Sequence, residues 1–123
     1  MNYLSIDYGT KNIGLAVSIL NIITPIPAIK NDDQVIENIK KIITDYKIDK
    51  IYIGVSEGRF ADITKTFIDK LRSMLKLDIE TVEEAVSTIE AQQIYIKNKN
   101  KKKDYKKLID SVAAAVILRR VVD

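Results

Sequence analysis

The chain has 123 residues, with 20 Lys and Arg against 17 Asp and Glu, a formal charge of +3 at neutral pH, and neither His nor Cys. That length suits a single domain over residues 1–123, burying roughly two thirds of the surface its unfolded form exposes, while imidazole bases, thiolate nucleophiles, disulfides and the usual zinc ligands are excluded. Metal chemistry is left to oxygen donors and a hard cation such as Mg²⁺ or Mn²⁺. Charged or polar residues interrupt every Ile/Val-rich stretch, so no membrane span and no secretory leader is expected, and the chain reads as cytoplasmic.

The first element is a hairpin. Leu4 and Ile6 lead to Asp7, Gly9 and Thr10 turn the chain, and Ile13, Leu15 and Val17 alternate with small residues as a returning strand does. An acid at a strand end is either a turn former or a ligand, so Asp7 has meaning only with partners from elsewhere. Ile22 to Ile29 contains Pro25 and Pro27 and reads as an edge strand, where a missing N–H is harmless. From Asp32 the period changes. Val35, Ile36, Ile39, Ile42, Ile43 and Tyr46 fall at helical spacing, with Asn31, Asp32 or Asp33 as the expected cap.

Lys50 to Val55 is a short β-branched run, followed by a second amphipathic helix through Phe60, Ile63, Phe67, Leu71, Met74 and Leu75. Together they predict a right-handed crossover between parallel strands. Leu77 to Val82 is a further strand, Glu83 and Glu84 follow it, and Ser87-Thr-Ile-Glu90 has the form of a capping box opening a helix to about Ile96. Lys97 to Lys107 holds seven Lys and one Asp, a local charge of +6 that leaves −3 on the remainder. Such a run is a solvated loop, a phosphate-contacting surface, or both. Tyr105 to Val122 closes the chain as an apolar helix containing Ala113, Ala114 and Ala115.

The order βββαβαβαα predicts an α/β fold, a mixed five-stranded sheet of three antiparallel strands extended by parallel ones, with helices on its faces. In such sheets ligands gather beyond the carboxyl ends of the parallel strands, where Asp7 and Glu84 are both expected. Asp110 precedes the almost wholly apolar run Val112 to Leu118. An ionised carboxylate there is costly unless paired, so it is either a surface acid at a helix start or a ligand aimed inward.

Three segments resemble the YqgF or RuvX-like family, whose members are known as Holliday junction resolvases and pre-16S rRNA nucleases. They are Ile6-Asp-Tyr-Gly-Thr-Lys-Asn-Ile-Gly-Leu-Ala-Val17, Glu84-Ala-Val-Ser-Thr-Ile-Glu-Ala91 and Ile109-Asp-Ser-Val-Ala-Ala-Ala-Val-Ile-Leu118. The resemblance covers nearly the whole chain and implies an RNase H-like fold. It also implies that Asp7, Glu84 and Asp110 form an acidic triad holding Mg²⁺ or Mn²⁺. The family usually has Asp-Glu-Arg where Glu83-Glu84-Ala85 stands here, so an arginine able to grip a phosphate bidentately is missing. Gly54-Val-Ser-Glu-Gly58 likewise replaces a Gly-Leu-Pro loop, and Ile19 stands where an acid often follows the second strand.

The implied activity is hydrolysis of phosphodiester bonds in structured nucleic acid, in ribosome biogenesis at the 5′ end of pre-16S rRNA or at four-way DNA junctions. The backbone contacts are expected from Thr10, Lys11, Lys101, Lys102, Lys103 and Lys106. A junction-cutting enzyme needs a two-fold dimer whereas a trimming enzyme works as a monomer, and either a monomer or a homodimer fits the sequence. Two other classes compete: a nucleic-acid-binding module without catalysis, and half of an actin-like ATPase, which shares the Asp-x-Gly-Thr turn but needs a second lobe.

Overall fold

The alternation in Tyr3–Asp7 and Asn12–Ile19 sorts the side chains of the first two strands onto opposite faces of one sheet. Leu4, Ile6, Ile13, Leu15 and Val17 go to one side, Ser5, Ala16 and Ser18 to the other, and all are buried. The computed structural model describes residues 1–55, 61–83 and 102–122, without the side chains of 61, 83, 102–110 and 122. Within them lie β1 (Tyr3–Asp7), β2 (Asn12–Ile19), β3 (Ile22–Lys30), α1 (Val35–Tyr46), β4 (Lys50–Val55), α2 (Ala61–Met74), β5 (Asp78–Glu83) and α3 (Lys102–Val122). The capping box at Ser87 and the helix expected to Ile96 fall outside the described residues, as do Glu84 and Lys101.

The sheet order is β3-β2-β1-β4-β5, with β1 antiparallel to β2, β2 antiparallel to β3, and β4 parallel to both β1 and β5. The mixed five-stranded sheet is the one the sequence predicts, with β1 at its centre and the proline-bearing β3 at one edge. Pro27 has a second use. Between Ile13↔Ile29 and Leu15↔Ile26 the register slips, so β3 spends one more residue than β2, and a residue with no N–H sits where the ladder is broken.

Helices α1 and α2 cover the Leu4/Ile6 face. Val35, Ile36 and Ile39 of α1 and Phe67, Ile68 and Leu71 of α2 join Leu15, Ile51, Ile53 and Ile79 in one core. The start of α1 departs from expectation. Gln34 is its N-cap residue and makes no side-chain cap, while Asp32 Oδ1 accepts the Gln34 N–H at 2.9 Å in a local turn ahead of the helix. At the other end Lys47 turns left-handed (φ 51°), and Asn2 Nδ2 donates to the carbonyls of Tyr46 and Lys47 at 2.9 and 3.2 Å, tying α1 to the start of β1.

Helix α3 lies across the other face and packs on β2, β3 and β1. From Val112 to Leu118 it is buried almost all the way round, and Ala114 and Ala115, with no side chain beyond Cβ, let it approach Ala16 and Tyr52 closely. Two buried hydroxyls fix its position. Ser5 Oγ donates to the Ala114 carbonyl at 2.5 Å, and Ser111 Oγ accepts the Leu15 N–H at 3.2 Å, beside the register slip. The helix begins at Lys102, not Tyr105, so Lys102, Lys103 and Lys106 stand on its first turns and not on a loop. Lysine propagates a helix well, and that preference outweighs the unfavourable placement of cations at a helix start.

Candidate functional site

Asp7 is the last residue of β1, the central strand, and is half-buried. It shares a face with Tyr3 and Ser5, which is the face of α3. Its cross-strand neighbours are Gly14 on β2 and Gly54 on β4. Cross-strand neighbours point the same way, so the carboxylate stands between two positions that carry no side chain.

The loop after Asp7 is held from both ends. Gly9 is required by sterics, because a Cβ there would run into the backbone carbonyl oxygen of Asn12. Asn31 then clasps the loop from the end of β3: its Nδ2 donates to the Gly9 carbonyl at 2.9 Å, and its backbone N–H donates to the Lys11 carbonyl at 2.9 Å. This residue, expected as a helix cap, instead fixes the turn that follows the acid. The sequence signal was there, since Asn favours local backbone bonding, but the partner lies 22 residues away and only the sheet brings it near. Thr10 and Lys11 are exposed at the tip of the turn.

The other expected site residues are located through the backbone alone. Position 110 lies on α3 next to Ser111, which meets Leu15, and one turn before Ala114, which meets Ser5. Leu15 pairs with Ile6, so one step toward Asp7 along β1 matches a step toward position 110 along α3. Lys102 and Lys106 precede position 110 on the same i, i+4 ridge, with Lys103 beside them. Strand β5 ends at Glu83, one residue later than expected, and Val82 lies level with Gly54 and therefore with Asp7. Among the described residues no three of His, Cys, Asp and Glu gather to hold a metal, and Glu84 and the side chain of Asp110 are not among them.

A second charged cluster sits at the opposite end of the sheet. Lys50 Nζ bonds Glu80 at 2.8 Å, pairs with Asp78 at 3.4 Å and lies 5.0 Å from the centre of the Tyr52 ring. Its hydrogen bond to Glu80 raises the ammonium pKa well above the ordinary lysine range. The group anchors β4 to β5 at their amino ends, far along both strands from Asp7.

A family model described as "RuvX: Holliday junction resolvase" matches residues 1–123. The chain belongs to the RuvX family. Among RuvX relatives, a protein of Sulfurihydrogenibium sp. (strain YO3AOP1) named "Putative pre-16S rRNA nuclease" is 38% identical, over 98% of this chain and 88% of its own length. Proteins of the same name from Halothermothrix orenii and Dictyoglomus turgidum are 32% and 31% identical, over 97% and 100% of this chain and 92% and 94% of theirs. The RuvX chain also shares its fold with the Fowlpox virus resolvase solved with Holliday junction DNA (TM-score 0.69, 16% identity, 99% of this chain and 97% of that one). The Thermus thermophilus RuvC solved with a Holliday junction is similar as well (TM-score 0.65, 11% identity, 98% and 96%). The RNase H-like fold implied by the sequence is therefore the fold observed, and the family is one of nucleic-acid-cleaving hydrolases.

Proposed function

We propose that the chain is a divalent-metal-dependent endonuclease acting on structured RNA, trimming the 5′ end of pre-16S rRNA, with Asp7, Glu84 and Asp110 as the residues that hold Mg²⁺ or Mn²⁺. The observation that carries this reading is the setting of Asp7: an acid at the carboxyl end of the central strand, on the α3 face, with glycine on either side. The approach of position 110 along α3 supports it, as does the direction of β5 toward Glu84. The donor set fits a hard cation, since a chain without His or Cys offers oxygen ligands only. When bound, such cations acidify water toward neutral pH and neutralise charge on the phosphoryl oxygens.

The chain's own part is to orient and to bind. The Gly9 turn, clasped by Asn31, fixes the direction from which Asp7 meets a phosphodiester. Thr10 and Lys11 at the exposed tip, with Lys102, Lys103 and Lys106 at the start of α3 and Lys101 of the same lysine run, are the proposed contacts to neighbouring phosphates. With the usual arginine replaced by Ala85, these cations carry the substrate grip.

A second reading, cleavage of four-way DNA junctions, draws on the description of the family model. One experiment separates the two: wild type and Asp7→Asn are compared on a precursor 16S rRNA fragment and on a four-way DNA junction with Mn²⁺ present. Cleavage of the rRNA fragment, reduced at least about a hundred-fold in Asp7→Asn, is expected. Paired symmetric cuts confined to the junction decide for the second reading, and an unaffected Asp7→Asn enzyme defeats both.

A further inference from the structure

Asp7 and Tyr8 are consecutive, and the pleat sends them to opposite sides of the sheet. Asp7 joins the α3 face, whereas Tyr8 packs against the α1/α2 core, its ring 4.6 Å from that of Phe67. Beside these rings a cleft of about 410 Å³ opens between the start of α1 and the first half of α2. Its walls carry Tyr8, Phe67 and Ile63, and its rim carries Asp32, Asp33 and Lys70. Hydrolysis at Asp7 uses none of these groups, and the cleft is large enough for a small organic ring system.

The lining specifies the occupant. Aromatic walls accept the face of a planar heterocycle, and such stacking tolerates any base because every base has a π-face. Two carboxylates on the rim disfavour a phosphate and accept N–H donors. One lysine beside them can donate to a ring carbonyl. Because Tyr8 directly follows Asp7, a nucleotide whose phosphate is at Asp7 lies at the same end of β1 as the cleft that Tyr8 lines.

We propose that this cleft is a nucleobase subsite, which takes the base of a nucleotide adjoining the scissile phosphodiester, stacks it on Tyr8 and favours bases that offer an exocyclic amine to Asp32 and Asp33. The position of the base relative to the cut rests on the nuclease reading given above, whereas base binding itself does not.

Two measurements on the full chain test it. In the first, Asp7→Asn protein is titrated with ten-nucleotide single-stranded RNA carrying 2-aminopurine, whose fluorescence falls when it stacks on an aromatic ring. Quenching is expected, weakened about ten-fold in affinity by adding Tyr8→Ala and retained with Tyr8→Phe. In the second, an abasic nucleotide is moved stepwise along the cleaved strand. One position beside the cut is expected to lose about ten-fold in kcat/KM with wild type, and Tyr8→Ala is expected to abolish that penalty.

Ile63→Glu offers an independent variant, because Ile63 is 46% exposed and can be changed without opening the core. Its charge weakens every substrate alike, so only loss of the positional abasic penalty reports on the cleft. Unchanged quenching in Tyr8→Ala, or a uniform loss of activity at every abasic position, overturns the inference. Failure of wild type to cleave any substrate removes the nuclease reading, while the quenching titration still decides the subsite.

Discussion

Asn31 and Gly9 decide how precisely Asp7 is presented, although neither is an acid. Asn31→Asp keeps the shape and removes the Nδ2 donor, so it is expected to lower kcat several-fold and to cost about 1 kcal/mol of stability, read by steady-state kinetics and urea unfolding. Gly9→Ala is more damaging, because the new methyl meets backbone and not a yielding side chain. A loss of about 1–3 kcal/mol is expected together with most of the activity. Ser5→Ala tests the other side of the site. It removes a buried bond to the Ala114 carbonyl and should cost about 1 kcal/mol, with a drop in activity if the seat of α3 on β1 governs the approach of position 110. In the sequence Ser5 reads only as the polar half of an alternating strand, because its partner lies 109 residues away.

Among the elements, α3 depends most on small side chains. Ala114 and Ala115 are 0 and 1% exposed, so Ala115→Leu must push the helix off the sheet, at a cost of about 1–3 kcal/mol measurable as a fall in melting temperature. The β4–β5 pair is secured differently. Lys50 has its pKa raised by Glu80, so its contribution to stability is fully present below the unfolded lysine value of about 10.4 and is lost as pH climbs beyond it. Lys50→Met is therefore expected to be less stable than wild type at pH 7, with the gap narrowing at strongly alkaline pH when both are followed by denaturant unfolding. The strands and the first two helices were legible because their apolar residues repeat at period two or at helical spacing. The start of α3 was not, since a lysine run has no apolar period and serves loop and helix equally well.

For the whole molecule, metal should act as a ligand of the folded state. Millimolar Mg²⁺ or Mn²⁺ is expected to raise the melting temperature of wild type, by about 2.7 kcal/mol of stabilisation when the cation is at a hundred times its dissociation constant. Asp7→Asn should show no such rise, and a wild-type protein indifferent to both cations would count against the acidic triad. Taken alone, the sequence determined the sheet, its edge strand, the helices on its faces and the acid at the end of β1, because periodicity, proline and glycine act over a few residues. It also excluded imidazole and thiolate chemistry by composition. Only the tertiary structure decided that Asp7 stands between Gly14 and Gly54, that Asn31 clasps its turn, and that Tyr8 opens onto a separate cleft. Those relations join residues far apart in the chain, 47 positions for Asp7 and Gly54, through strand pairing, register and the packing of helices on the sheet, which local pattern does not encode.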